Sequence, residues 1–343
     1  MSADDLDKVG SNESLQKPGL MPPDLFSVLS AYRDADNRKA LWQVLNTLIP
    51  YFLLWYLMIR SVQLDYSYGW TLLLAVPAAG FLVRIFIFFH DCVHGSFFNS
   101  KKANIFFGYI FGVLVFTPFE DWRFSHLRHH ATNSNLDERG FGDIWTITVA
   151  EYEDLSTKGR LFYRFYRNPI VLIIIGALFL FLVSNRFTTR TTKRKERISV
   201  HLTNLLILAL VLAVSQVIGF WTYFLIQLPV IWLAGVAGVC LFYVQHQFPK
   251  GYWARRAEWD RWRAAMEGSS YYKLPALLRW FSGSIGFHHI HHLNPLIPNY
   301  NLKKCHDSVP AVQVKEPLTV WKSLSCARLK MWDEKRQELV SFS

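Results

Sequence analysis

The chain has 343 residues, of which 51% are hydrophobic, 16% aromatic and 18% charged, and its formal net charge is +11. Such apolar content excludes a disordered chain and fits a polytopic membrane protein with large polar parts. The basic excess reads as a cytoplasmic topology signal with attraction to anionic headgroups, so membrane lipids are the expected partner of these charges and nucleic acid is not.

In chain order, the opening "MSADDLDKVGSNESLQKPG" is acidic and polar, unlike a secretory signal or a transit peptide. Residues 1–40 are therefore expected to form an N-terminal cytosolic tail and interfacial segment. A span needs about 20 mainly apolar residues to cross roughly 30 Å of hydrocarbon. Four runs qualify, at 41–60, 70–90, 201–218 and 221–245. The first two are joined by "RSVQLDYSYG" and the last two meet around Gly219, which predicts two helical hairpins.

Two shorter apolar runs, 105–119 and 169–184, need a separate reading. Arg160, Arg164 and Arg167 precede the second, and Arg186, Arg190, Lys193, Arg194, Lys195 and Arg197 follow it. Positive charge at both ends places both on the cytoplasmic side, so each run is expected to be re-entrant or interfacial. The predicted fold is an all-α polytopic membrane protein. It has four transmembrane helices in two hairpins, interfacial helices and a cytosolic helical cap. Residues 41–306 form its main domain and 307–343 a C-terminal cytosolic segment.

Cys92, Cys240, Cys305 and Cys326 have no CxxC spacing, which argues against a disulfide framework or a cysteine metal site. Histidine is different. Of 12 histidines, eight fall into three boxes: "HDCVH" with His90 and His94, "HLRHH" with His126, His129 and His130, and "HHIHH" with His288, His291 and His292. On a helix, residues four apart share a face and can aim at one point. Neighbours point about 100° apart, so a pair such as His129 and His130 could serve two metals, or one metal and its surroundings. One zinc site takes about three or four protein ligands, fewer than these boxes supply. His246, in "FYVQHQF", lies at the end of the fourth span, level with His90, and makes a ninth candidate. His201, His289 and His306 are read as structural residues or as neighbours that support the ligands. Ionisable groups at a membrane edge are costly and tend to mark function, which favours a metal role for the boxes.

Imidazole suits zinc, copper, iron and nickel alike. The chain has no H-E-x-x-H, no G-x-S-x-G, no P-loop and no G-x-G-x-x-G. A histidine-rich site beside lipid suits chemistry on a hydrocarbon, where a strong C–H bond calls for oxygen at a redox metal. Dinuclear iron is the natural candidate, with a zinc-dependent membrane hydrolase and a haem-binding electron carrier as alternatives.

The boxes match the pattern H-x(3,4)-H, H-x(2)-H-H and [HQ]-x(2)-H-H, and in this the chain resembles the membrane fatty acid desaturases. Phrases such as "RFYRNP", "RKERIS", "EGSSYYKLP" and "IGFHHIHHLNPLIPNY" resemble the bacterial acyl-lipid branch, of Δ12 (ω6) or Δ5 type. The resemblance implies two iron ions (Fe2+/Fe3+) held by His90, His94, His126, His129, His130, His288, His291 and His292, with His246 completing the set. Acyl-CoA relatives carry an asparagine four residues before that last histidine; here the position is Phe242. The implied reaction uses O2 to remove two hydrogens from adjacent acyl carbons, leaving a cis double bond, with no catalytic side chain beyond the metal ligands. Asp91, Asp143 and Asn294 are candidates to orient the imidazoles, whereas Asp137, Glu138 and Arg139 read as a solvated turn.

The same iron framework also supports hydroxylation, epoxidation or acetylenic-bond formation. Electrons must come from a separate reduced donor such as ferredoxin, since the chain has no H-P-G-G haem motif and no flavin or nicotinamide fingerprint. A basic face including Arg255, Arg256, Arg261 and Arg263 would steer an acidic carrier. The expected location is a bacterial inner membrane, with a fatty acyl glycerolipid as substrate and the site facing the cytoplasm.

Overall fold

A computed structural model describes residues 22–188 and 192–342. The expected tail before residue 22, and Arg190 among the flanking charges, lie outside the described residues.

A short helix, α1 (Leu25–Ser30), precedes the first long one, α2 (Asn37–Gln63). Asp36 starts α2: its carboxylate accepts from the N–H groups of Arg38 at 2.9 Å and Lys39 at 3.2 Å, filling donors that the first turn leaves open. Helix α3 (Tyr68–His94) ends at Gly95, whose φ of +75° is the left-handed conformation that only glycine adopts freely. Then come α4 (Lys101–Leu114), α5 (Phe119–Thr132), α6 (Val149–Asp154) and α7 (Thr157–Tyr166). An irregular helix over 170–186, widened at 170–175 and 179–183 and tightened at 184–186, precedes α8 (Arg194–Ile218) and α9 (Phe220–His246), which are separated only by Gly219.

Helices α2, α3, α8 and α9 are long and apolar enough to cross a membrane. At ~1.5 Å per residue, helices of this length exceed the ~30 Å hydrocarbon layer, so their polar ends project beyond it. His90 and His94 occupy the last turns of α3, and His246 ends α9. All four helices extend past the predicted apolar runs, because backbone hydrogen bonding continues into polar flanks.

The two shorter runs become bent pairs. Helices α4 and α5 meet at 101°, and α7 meets the 170–186 helix at 61°. The first bend depends on glycine: a Cβ on Gly108 would lie 2.2 Å from the Phe119 ring, and one on Gly112 would lie 2.6 Å from the Thr117 carbonyl. Arg167, one of the charges that flank the second run, is not a surface residue. Its side chain is fully buried and donates to Trp145 O at 3.1 Å, Thr146 Oγ1 at 3.1 Å, Gln247 Oε1 at 2.7 Å and Leu329 O at 3.0 Å. Sequence records charge but not burial. Here the guanidinium joins the loop before α6, the end of α9 and the C-terminal segment.

The remaining elements are short: α10 (Arg261–Met266), β1 (Tyr272–Lys273), α11 (Ala276–Phe281), α12 (His288–Leu293), α13 (Asn299–Ser308), β2 (Leu318–Thr319), α14 (Val320–Ser323), β3 (Met331–Asp333) and β4 (Glu338–Val340). The part of the chain after α9 is thus not purely helical, since β1 pairs with β2 in parallel and β3 with β4 antiparallel. The β1–β2 pairing stitches the segment after residue 307 into the body, and Trp332 N–H donates to Ile147 O at 3.0 Å. The main core surrounds α3, with Phe88, Phe89, Phe97, Phe111 and Phe119 fully buried between α2, α4, α5 and α9. A second core lies around α12, built from Leu25, Leu29, Ile290, Ile297 and Leu302.

Candidate metal centre

Four helices bring histidines to one place. His90 and His94 lie one turn apart on the last turns of α3, and His126, His129 and His130 lie on α5. His246 ends α9, while α12 supplies His288, His291 and His292. All but His130 are buried.

The rings fall into two groups. In one, single ring nitrogens of His90, His94, His126, His130 and His291 lie within 4.8 Å of one another. In the other, His129, His246 and His292 meet the same limit. His288 adjoins the second group, its Nε2 3.0 Å from that of His246 and 3.1 Å from that of His292. Within the first group, Nε2 of His126 lies 3.0 Å from His94 and 3.2 Å from His130, and His291 lies 3.0 Å from His130. Adjacent residues part company, His129 from His130 and His291 from His292, as the ~100° helical step requires.

Two carboxylates fix ring tautomers. Asp91 Oδ1 accepts from His90 Nδ1 at 3.0 Å, and Asp143 Oδ1 accepts from His129 Nδ1. A proton held at Nδ1 leaves only a lone pair at Nε2. The Nε2 of His90 is buried without a hydrogen-bond partner among the described residues. Burial holds His288, His291 and His292 well below the ordinary imidazole range, helped by neighbouring imidazoles, so these rings are neutral. Neutral, converging imidazoles with an orphaned lone pair are the donor set a transition metal needs, and the residues fit paired metal ions.

Aromatic rings close the apolar side. Trp122 stacks on His126 with centroids 4.1 Å apart. Phe242, one turn before His246, lies 5.3 Å from the His129 ring and 4.9 Å from that of His246.

Other predicted positions lie elsewhere. Asn294 accepts from Leu296 N–H at 3.3 Å, a local turn bond, and not from an imidazole. His289 is buried outside both groups, with its Nε2 2.9 Å from Val312 O, and burial pushes its pKa down to about 3. His306 pairs with Asp307 at 3.3 Å. Asp137, Glu138 and Arg139 are more than a solvated turn: Asp137 accepts from Arg255 at 2.8 Å, Arg256 lies 3.7 Å from Glu138, and Arg139 donates twice to Glu151. Ion pairs also engage arginines of the expected basic face. Arg255 also pairs with Glu334 at 2.9 Å, and Arg263 pairs with Glu267 at 3.0 Å. Sequence reasoning missed Asn299, which touches Asp91 from 208 residues away; no local pattern signals such a contact.

Membrane-length helices whose ends converge on two histidine groups define a membrane metalloprotein built from histidine boxes. Residues 68–323 match the family described as fatty acid desaturase, and the chain belongs to that family. It is 46% identical over 318 residues to a fatty acid desaturase of Bacillus subtilis strain 168, spanning 93% of this chain and 90% of that one. It is also 28% identical to an sn-1 oleoyl-lipid 12-desaturase of Synechocystis, over 66% of this chain and 65% of that one. A third relative, an sn-1 acyl-lipid omega-3 desaturase (ferredoxin) of Nostoc, is 26% identical over 70% of this chain and 68% of that one.

Proposed function

We propose that this protein introduces a cis double bond into a fatty acyl chain esterified in glycerolipid, with Δ12 (ω6) or Δ5 regiochemistry, using O2 and two iron ions. The observation that carries the reading is the division of nine histidines at the helix ends into two converging groups. The relatives' names supply the acyl-lipid class.

In this reading His90, His94, His126, His130 and His291 hold one iron, and His129, His246, His288 and His292 hold the other. The iron pair, when bound, supplies the oxygen chemistry that breaks unactivated C–H bonds. The chain's own residues position and exclude. Asp91 and Asp143 keep a proton at Nδ1 of His90 and His129, directing Nε2 inward. Trp122 and Phe242 present apolar faces beside the rings, where an acyl segment can lie with water displaced. Phe242 offers no water-bridging amide, so the second iron relies on its histidines.

Electrons come from a separate donor, with an acidic ferredoxin as the preferred carrier; one relative's name includes ferredoxin. The expected setting is a bacterial inner membrane with the two hairpins inserted, the cap and metal groups on the cytoplasmic side, and residues 41–306 as the catalytic unit. Expression in a host rich in monounsaturated acyl lipids, followed by double-bond location in its lipids, tests the proposal. A new alkene at a defined position supports it. A hydroxylated product without new alkene, or purified protein with zinc and no O2 uptake, overturns it.

A further inference from the structure

We infer that Asn299 is a positioning residue for the first histidine group, and that it makes closure of α13 a condition for metal binding there. This rests on the reading above that His90 is an iron ligand.

Asp91 is buried, with only 2% of its surface exposed, and no lysine or arginine pairs with it among the described residues. Three donors satisfy its carboxylate. His90 Nδ1 takes Oδ1 at 3.0 Å, while Oδ2 accepts from the Asn299 backbone N–H at 2.7 Å and from Asn299 Nδ2 at 2.9 Å. An unpaired buried carboxylate is costly, and charge-assisted bonds of this kind are strong. The Asn299 amide orientation is fixed at both ends, because its Oδ1 accepts from Gln43 Nε2 at 3.0 Å. A line of bonds thus runs from α2 through α13 to α3 and ends at the imidazole whose Nε2 lacks a partner among the described residues.

The next two residues strengthen the same closure. Tyr300 OH accepts from Asp36 N–H at 2.8 Å and donates to Phe97 O at 3.1 Å. Asn301 Nδ2 donates to Tyr32 O at 3.0 Å. Three consecutive side chains therefore clasp the N-terminal half of the molecule, and only the first reaches a residue that holds a histidine of either metal group. Since α12 directly precedes this clasp, docking α13 also seats His291.

The test is Co(II) titration of the purified, metal-stripped full-length chain, followed by visible absorption. Wild type is expected to bind two equivalents with distinct bands. Asn299→Ala should weaken one site about 10–100-fold, the range typical of residues that orient a ligand. Asn299→Asp, which keeps the shape but sets a carboxylate against Asp91, should weaken it at least as much. Leu339→Ala, in β4 and 4% exposed, packs in a core that contains neither α13 nor a histidine, and should lower the melting temperature yet leave both affinities unchanged. Unchanged cobalt binding in Asn299→Asp, or equal loss in Leu339→Ala, overturns the inference. Wild type that binds no cobalt overturns the ligand reading beneath it.

Discussion

His129 and His130 are consecutive in the chain, yet their imidazoles face different partners: His129 Nε2 lies 3.2 Å from His246 Nε2, and His130 Nε2 lies 3.0 Å from His291 Nε2. One helical step separates two metal groups. Each single substitution, His129→Ala and His130→Ala, is therefore expected to abolish double-bond formation while the chain still inserts in the membrane. Metal analysis should show each variant losing the equivalent that the other retains. Retained activity in either purified variant would contradict the division.

The carboxylate behind His129 invites a milder change. Asp143→Asn keeps an oxygen acceptor but removes the charge that stabilises the Nδ1 proton. Iron affinity or turnover should fall about 10–100-fold, with the melting temperature little altered. Iron retention after dialysis against a weak chelator measures this directly.

At the bend between α4 and α5, Gly108→Ala would push a methyl group into the Phe119 ring, which is 1% exposed and has no space to yield. Overpacking of this kind costs about 1–3 kcal/mol. The melting temperature in detergent should drop. Activity per folded molecule should fall too, because Phe119 opens the helix that carries the second box.

The bonds around Arg139 make a prediction about pH. The side-chain hydrogen bond from Arg139, and then the Thr148 N–H, hold Glu151 below its usual carboxylate range despite some burial. A carboxylate with a depressed folded pKa stabilises fully above its ordinary value near ~4.3, and that contribution is lost as pH falls through the lower folded value. Wild type should thus protect backbone amides 147–152 better than Glu151→Gln at neutral pH. The two should converge once pH has fallen below the depressed folded value. Amide exchange, corrected for intrinsic pH effects, measures the difference; a gap that persists in acid would show that the charge is not the cause.

Local signals in the sequence were readable wherever neighbours along the chain decide the outcome. Hydropathy marked the four long helices because lipid requires a continuous apolar run. Box spacing marked the histidines because four residues make one helical turn, and the same geometry foretold that adjacent rings could part. His246 was legible from its level on α9. Charges were less readable. Arg167 and Arg255 carry the same formal charge as any surface arginine, but one is sealed among carbonyls and the other is paired to Asp137 and Glu334.

What the sequence determined by itself was the inventory: membrane-length helices, the family, and histidines at ligand spacing. Only the tertiary structure decided which rings share a group, that Asp91 and Asp143 stand behind His90 and His129, and that Asn299 closes on Asp91. Those pairings depend on how bent helices and the C-terminal segment pack. A hydrogen bond across 208 residues leaves no periodicity to read, because it is set by the meeting of two folded surfaces.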